Sequence, residues 1–177
     1  MFSDPIKNLK AFGLREDMIV AELGAGTGFY SIAAASLVPN GKVYAIEIQK
    51  DYVATIKNKA TEGGIKNLEC FWGNIEKNGG TKIGDNIVDA VIASNIFFQV
   101  ENKDRFIQEA KRIMKSGARL LLIDWSETSA IGPSQNMMIT KIKARELFEQ
   151  KGFVFEHEID AGEHHYGMIF NILKNEI

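Results

Sequence analysis

Val20-Ala21-Glu22-Leu23-Gly24-Ala25-Gly26-Thr27-Gly28-Phe29-Tyr30 is the stretch on which the fold turns. An apolar run over 18–23 carries one acidic residue near its end. Three glycines follow at alternate positions, and then comes an apolar stretch over 29–38. This pattern predicts a buried strand, a tight turn and a helix opened by that turn. Glycine lets the backbone bend sharply and lets a ligand come close, because no Cβ stands in the way. The first turn of the helix offers free N–H groups at the same place. Glu22 adds a fixed negative charge beside them. Such a site suits a nucleotide-like ligand that also carries a positive group.

The glycine spacing narrows the choice. A dinucleotide fingerprint reads G-x-G-x-x-G, with the last glycine allowing close helix–strand packing. Counting from Gly24, that position is Phe29; counting from Gly26, it is Ser31. The pattern here is E-x-G-x-G-x-G. A nicotinamide oxidoreductase is therefore disfavoured.

Outward from this stretch, elements alternate. A short helix is expected over 4–12, with Asp4 as cap and Pro5 in the first turn. Strands are expected over 18–23, 42–48, 67–73, 87–93 and 119–124, and helices over 29–38, 51–62, 103–114 and 140–151. The 74–86 segment reads as a loop. Residues 153–159 and 165–173 are strands with no room for a helix between them, so they must be antiparallel neighbours. The 177 residues read as a single domain, 1–177, large enough for a full core.

Charge and composition exclude several classes. The net charge of −2 argues against tightly held nucleic acid, which needs a basic face. The single cysteine, Cys70, cannot form an internal disulfide and excludes multi-cysteine zinc sites; its expected place is a buried strand position. No apolar run approaches membrane-spanning length, and the opening residues lack a charged-then-apolar signal pattern, so a cytoplasmic protein is expected. The pair His164-His165 lies near Asp160 and Glu163, but adjacent strand residues point to opposite faces, so no metal site is expected.

The acidic residue and G-x-G-x-G turn, together with Lys42-Val43-Tyr44-Ala45-Ile46-Glu47 and Asp89-Ala90-Val91-Ile92, resemble the class I S-adenosylmethionine-dependent methyltransferases. Glu109-Ala110-Lys111-Arg112-Ile113-Met114-Lys115 is similar to a helix-and-turn segment of their ubiquinone/menaquinone-type (type 11-like) group, with Ser116-Gly117-Ala118 where Pro-Gly-Gly is usual. The resemblance implies a three-layer α/β/α sandwich around a mostly parallel seven-stranded sheet, order 3-2-1-4-5-7-6, with the last strand antiparallel. It implies S-adenosylmethionine as cofactor and S-adenosylhomocysteine as product.

Site residues follow from the strand ends, where ligands of open α/β sheets bind. Glu47 ends the second strand about 20 residues after the glycine turn, where a carboxylate can take both ribose hydroxyls. Ile48 would pack on the adenine. Gly24, Ala25, Gly26, Thr27 and Gly28 would form the cofactor loop, with Glu22 orienting it and holding the methionine ammonium through a water. The resemblance places Asn74 and Ile75 at the adenine, Asn74 standing where an aspartate is usual. It places Asn95 and Phe98 beside the methionine part. Asp124, His164 and Tyr166 are the candidates for catalytic roles. Asp124 and Trp125 end the fifth strand, where they could steady or shield a substrate.

The expected reaction is metal-free methyl transfer by in-line displacement to a small-molecule or lipid-like acceptor, by a monomer or homodimer. Two alternatives are a protein methyltransferase with an open site and a non-catalytic S-adenosylmethionine-binding or interaction protein. The loop over 126–139, with Gly132-Pro133 and Met137-Met138, is expected to act as a lid.

Overall fold

A computed structural model describes residues 3–173. The chain runs α1 (Pro5–Phe12), β1 (Ile19–Leu23), α2 (Phe29–Leu37), β2 (Lys42–Glu47), α3 (Lys50–Glu62), β3 (Leu68–Trp72) and β4 (Val88–Ser94). A single 3-10 turn (Phe97–Gln99) precedes α4 (Lys103–Ile113), β5 (Met114–Trp125), α5 (Lys141–Gln150), β6 (Val154–Ile159) and β7 (His165–Asn171). The seven strands form one sheet, order β3-β2-β1-β4-β5-β7-β6. β7 is antiparallel to both of its neighbours and the other pairings are parallel. This is the sheet that the resemblance implied.

Alternation along each strand sorts the apolar residues onto two faces. Val43 packs with α1 and α2 through Leu9, Phe12, Ala34 and Val38, and Ala45 packs with Val53 and Ile56 of α3. Ile46 faces the opposite layer, where Phe106, Ile107 and Ile113 of α4 meet Ala144 and Phe148 of α5. Phe148 stacks on Phe170 of β7 with ring centroids 4.8 Å apart, which ties the terminal hairpin to this core. Cys70 is buried in β3, as expected.

The elements begin as their caps dictate. Asp4 accepts the Lys7 N–H at 3.1 Å, and Gly13 ends α1 in the left-handed conformation. Asn102 and Thr140 cap α4 and α5 in the same way.

The fifth strand differs from its expected extent over 119–124. It begins at Met114, directly after α4, with no separate turn. Met114 pairs with Val88, but the next paired residue, Arg119, lies opposite Ala90, so 115–118 bulge out of the ladder. Gly117 takes φ +77 there and donates its N–H to the Ile172 carbonyl. Ser116-Gly117-Ala118 is thus a bulge rather than a connecting turn.

The 77–85 loop is fastened beneath the sheet by Glu109. Its carboxylate accepts the N–H groups of Gly79 and Thr81 and the Thr81 hydroxyl, and pairs with Arg112, which reaches on to Asp85. These donors hold the Glu109 carboxyl down at about 2, against its burial. Glu109→Ala strands a partly buried guanidinium and three donors. Removing one partner of a buried pair costs about 3–5 kcal/mol, so a fall in Tm of roughly 10 °C is expected in a thermal melt.

Candidate active site

The carboxyl ends of β1, β2, β4 and β5 open onto one cleft of about 710 Å³, within the roughly 300–1,000 Å³ typical of ligand sites. Its floor is the glycine turn. Gly24, Gly26 and Gly28 all take positive φ, at +78, +53 and +86. The reasons differ. A Cβ on Gly24 would lie 2.4 Å from the Ile96 side chain, and one on Gly28 would lie 2.9 Å from Ile56. A Cβ on Gly26 would meet nothing within 4 Å. Gly26 is therefore the point at which the backbone is bare towards the cleft, and Gly24 and Gly28 serve close packing around it.

Two acidic side chains flank the turn. Glu47, at the end of β2, accepts the Gly26 N–H on Oε2 and the Gln49 N–H on Oε1, both at 2.8 Å. It thereby ties the turn to the second strand while lining the cleft. Glu22 is only 2% exposed and its carboxylate accepts the Ser31 hydroxyl. Burial pushes its pKa up to about 8; the Ser31 bonds oppose that rise and the charge of Glu47 adds to it. No cation among the described residues is bonded to it.

The rest of the wall comes from strand ends and from the N-terminal segment. Ala25, Thr27, Ile48, Asn74, Ile75 and Asn95 all line the cleft. Ile48 is 55% exposed and gives the cleft wall an apolar surface. The Asn74 side-chain oxygen accepts the Glu76 N–H at 2.8 Å. Asn95 sits at φ +54, and its side-chain oxygen is buried without a partner. Tyr30 of α2 also lines the cleft, its hydroxyl held by Asn8 at 2.8 Å and Ser3 at 2.7 Å. Ser3 and Pro5 reach the same wall. The bare glycine turn, the two acids, the exposed Ile48 and the orphaned amide oxygen thus put polar and apolar groups together in one cleft.

A methyltransferase domain family model matches residues 14–171. The chain belongs to this methyltransferase family. A SAM-dependent methyltransferase from Aquifex aeolicus, known from its crystal structure, is 30% identical with a TM-score of 0.90, covering 97% of this chain and 91% of its own. The ubiquinone/menaquinone biosynthesis C-methyltransferase UbiE of Hydrogenovibrio crunogenus is 30% identical over 119 residues, 66% of this chain and 46% of that protein. An arsenite methyltransferase from Halobacterium salinarum is 26% identical over 124 residues, 69% of this chain and 31% of that protein. The chain spans less than half the length of these two curated relatives.

Several candidate residues of the methyltransferase lie elsewhere than expected. Phe98 does not line the cleft. It belongs to the 3-10 turn, and its N–H donates to Asp124 Oδ2 at 2.8 Å. Asp124 is 1% exposed and its other oxygen accepts the Trp125 N–H, so this carboxylate braces the two segments rather than facing a substrate. Burial lifts its pKa to about 6 against these bonds. Tyr166 lines a separate cavity of about 330 Å³, and His164 lies beside Ser129, with Nδ1 3.2 Å from its hydroxyl. Gly28 is covered by Ile56 and leaves the lining to Gly24, Ala25, Gly26 and Thr27.

Of the neighbours Asp124-Trp125 and His164-His165, it is Trp125 and His165 that enter the cleft. They are directly opposite in the β5–β7 ladder, their rings are 4.4 Å apart, and both line the cleft. The sequence signal was available: alternation makes Trp125 and Asp124 point to opposite faces, and likewise His165 and His164. None of residues 126–139 lines the cleft. Gly132 instead packs behind the Trp125 ring, where a Cβ would lie 2.5 Å from it. Among the described residues, no helix is long and apolar enough to cross a membrane.

Proposed function

We propose that this methyltransferase holds S-adenosylmethionine along the 710 Å³ cleft and methylates a small molecule seated between the glycine turn and Trp125. The observation that carries this reading is that two buried carboxylates, Glu22 and Glu47, line one cleft with Gly26, whose missing side chain leaves open space. Glu47 takes the ribose hydroxyls, Ile48 and Ile75 cover the adenine, and Asn74 meets its edge. Glu22 balances the positive charge of the methionine end, and Asn95 supplies an acceptor beside it. When bound, S-adenosylmethionine supplies a methyl group on an electron-poor sulfur, and the protein's part is alignment and exclusion of water.

The acceptor end limits the substrate. Arsenic(III) is soft and seeks thiols. The only cysteine, Cys70, is outside the cleft, and burial lifts its thiol to about 11. A thiol-bound arsenic acceptor is therefore unsupported. A flat, largely apolar acceptor suits Ile96, Val100 and Trp125.

Calorimetric titration tests the cofactor reading. Wild-type protein binds S-adenosylmethionine and S-adenosylhomocysteine with micromolar affinity. Gly26→Val forces a β-branched residue into φ +53 and fills the bare surface, so a loss of at least about 100-fold is expected. No binding by the wild type, or equal binding by the variant, overturns the assignment.

A further inference from the structure

His165 is 9% exposed, and both of its ring nitrogens are buried without a hydrogen-bond partner. A buried polar group normally has one, because leaving it unpaired forfeits its hydration without return. The ring lies against Trp125 in the wall of the cleft. It also lines the smaller cavity of about 330 Å³ behind β7, and it is the one residue common to the walls of both. That second cavity carries Glu127, Lys141 and Glu158.

We propose that His165 accepts a proton from an aromatic hydroxyl seated in the cleft and passes it to the smaller cavity behind. The inference rests on the cofactor reading above. The acceptor's O–H bond breaks and its proton moves to an imidazole nitrogen. The freed oxygen pair forms the new O–CH₃ bond as the S–CH₃ bond breaks, and that bond's electron pair stays on sulfur. The proton then leaves from the other nitrogen.

The class of acceptor follows from the lining. The cleft's acidic side chains are Glu22, Glu47 and Glu76; no Lys or Arg is among the described residues that line it. An acceptor bearing a carboxylate or phosphate would meet these acids and no counter-ion from the protein among the described lining residues. Trp125, packed by Gly132 and His165, offers an apolar ring edge to the cleft, and His165 a single proton acceptor. An uncharged phenol or catechol satisfies both.

The imidazole is suited to the task. Burial, and to a lesser degree His164, lower its pKa below the ordinary 6.5, so it is neutral at neutral pH. The other titratable groups around it are Tyr166 on its own strand, Asp124 on β5, and Glu127, Lys141, Glu158 and Asp160 of the smaller cavity. None of them bonds to it.

The test compares wild type with His165→Phe, which keeps the ring packing, and His165→Gln. Calorimetry with S-adenosylhomocysteine should give equal affinity for all three. Catechol and p-cresol are then assayed as acceptors against 4-hydroxybenzoate. Both variants should lose 100-fold or more in kcat/KM. The wild-type acidic limb, lying below pH 6.5, should vanish in them. Without turnover, catechol added to the S-adenosylhomocysteine complex should shift the His165 ring signals in an NMR spectrum. Unimpaired turnover by His165→Phe overturns the proposal. So does preference for 4-hydroxybenzoate, or a panel in which no phenol reacts or moves the His165 signals. Failure of the wild type to bind S-adenosylhomocysteine would instead strike the cofactor reading.

Discussion

Glu47→Ala is expected to weaken S-adenosylmethionine binding by about 100- to 1,000-fold while leaving the sheet intact. A carboxylate that takes two ribose hydroxyls makes two charge-assisted bonds, each worth about 1.5–2 kcal/mol at the lower end of their range, and their joint loss of roughly 3–4 kcal/mol corresponds to that factor. The free protein adds a second reason. The same carboxylate now holds the N–H groups of Gly26 and Gln49, both at 2.8 Å. Alanine therefore also releases the turn that the ligand must approach, and binding must re-order it. Glu47→Gln separates the two effects. An amide oxygen can still accept one backbone N–H, so the turn stays partly tied, but the charge is gone; a loss of about tenfold is expected. Calorimetry on the three proteins decides. If alanine binds within threefold of wild type, Glu47 is a loop brace and not a ribose ligand.

That Glu47 could be singled out from sequence has a simple cause. β1 and β2 are short, strongly apolar and flanked by a glycine turn, so their ends are fixed to within a residue. The expected strand over 42–48 and the observed Lys42–Glu47 differ by one position. Where a strand end also decides which of two neighbours faces the ligand, one residue is the whole answer. Asp124 and Trp125 both end the fifth strand, yet only Trp125 lines the cleft. Its neighbour is spent on the N–H groups of Phe98 and Trp125. The same choice recurs on the facing strand, where His165, opposite Trp125, enters the cleft and His164 does not. The pairing that settles both lies between β5 and β7, whose paired residues are some 40 or more positions apart in the chain, so no local pattern encodes it. The early start of β5 was hidden for a related reason. A bulge at 115–118 breaks the alternation that marks a strand, and Gly117 reads as a turn until Ile172 is seen to take its N–H.

Glu22 supplies the other large effect, and it is a dependence on pH. In the free protein its carboxyl titrates near 8, because burial disfavours the charged form more than Ser31 favours it. The unfolded chain loses this proton near 4.5. Between these values the folded state holds more protons than the unfolded one, so the stability linked to Glu22 is full below about 4.5 and is lost as pH rises through about 8. Cofactor binding runs the other way. A positive methionine end favours the carboxylate, so binding below pH 8 must expel the proton. Affinity for S-adenosylmethionine should then rise with pH, by at most about tenfold per unit, and level off above pH 8. Calorimetry at pH 6, 7 and 8, in pairs of buffers with different ionisation enthalpies, should count up to one proton released per cofactor bound at the lower pH values. Glu22→Gln mimics the protonated form. It should bind more weakly at pH 8, show a flat profile and release no proton. The free variant should also melt higher than wild type at pH 8 and above, since it never carries a buried charge. A substitution that weakens binding while stabilising the free fold is the signature of a charge kept for its ligand. If Glu22→Gln releases the same proton as wild type, the titrating group lies elsewhere in the cleft and Glu22 is only a partner for Ser31.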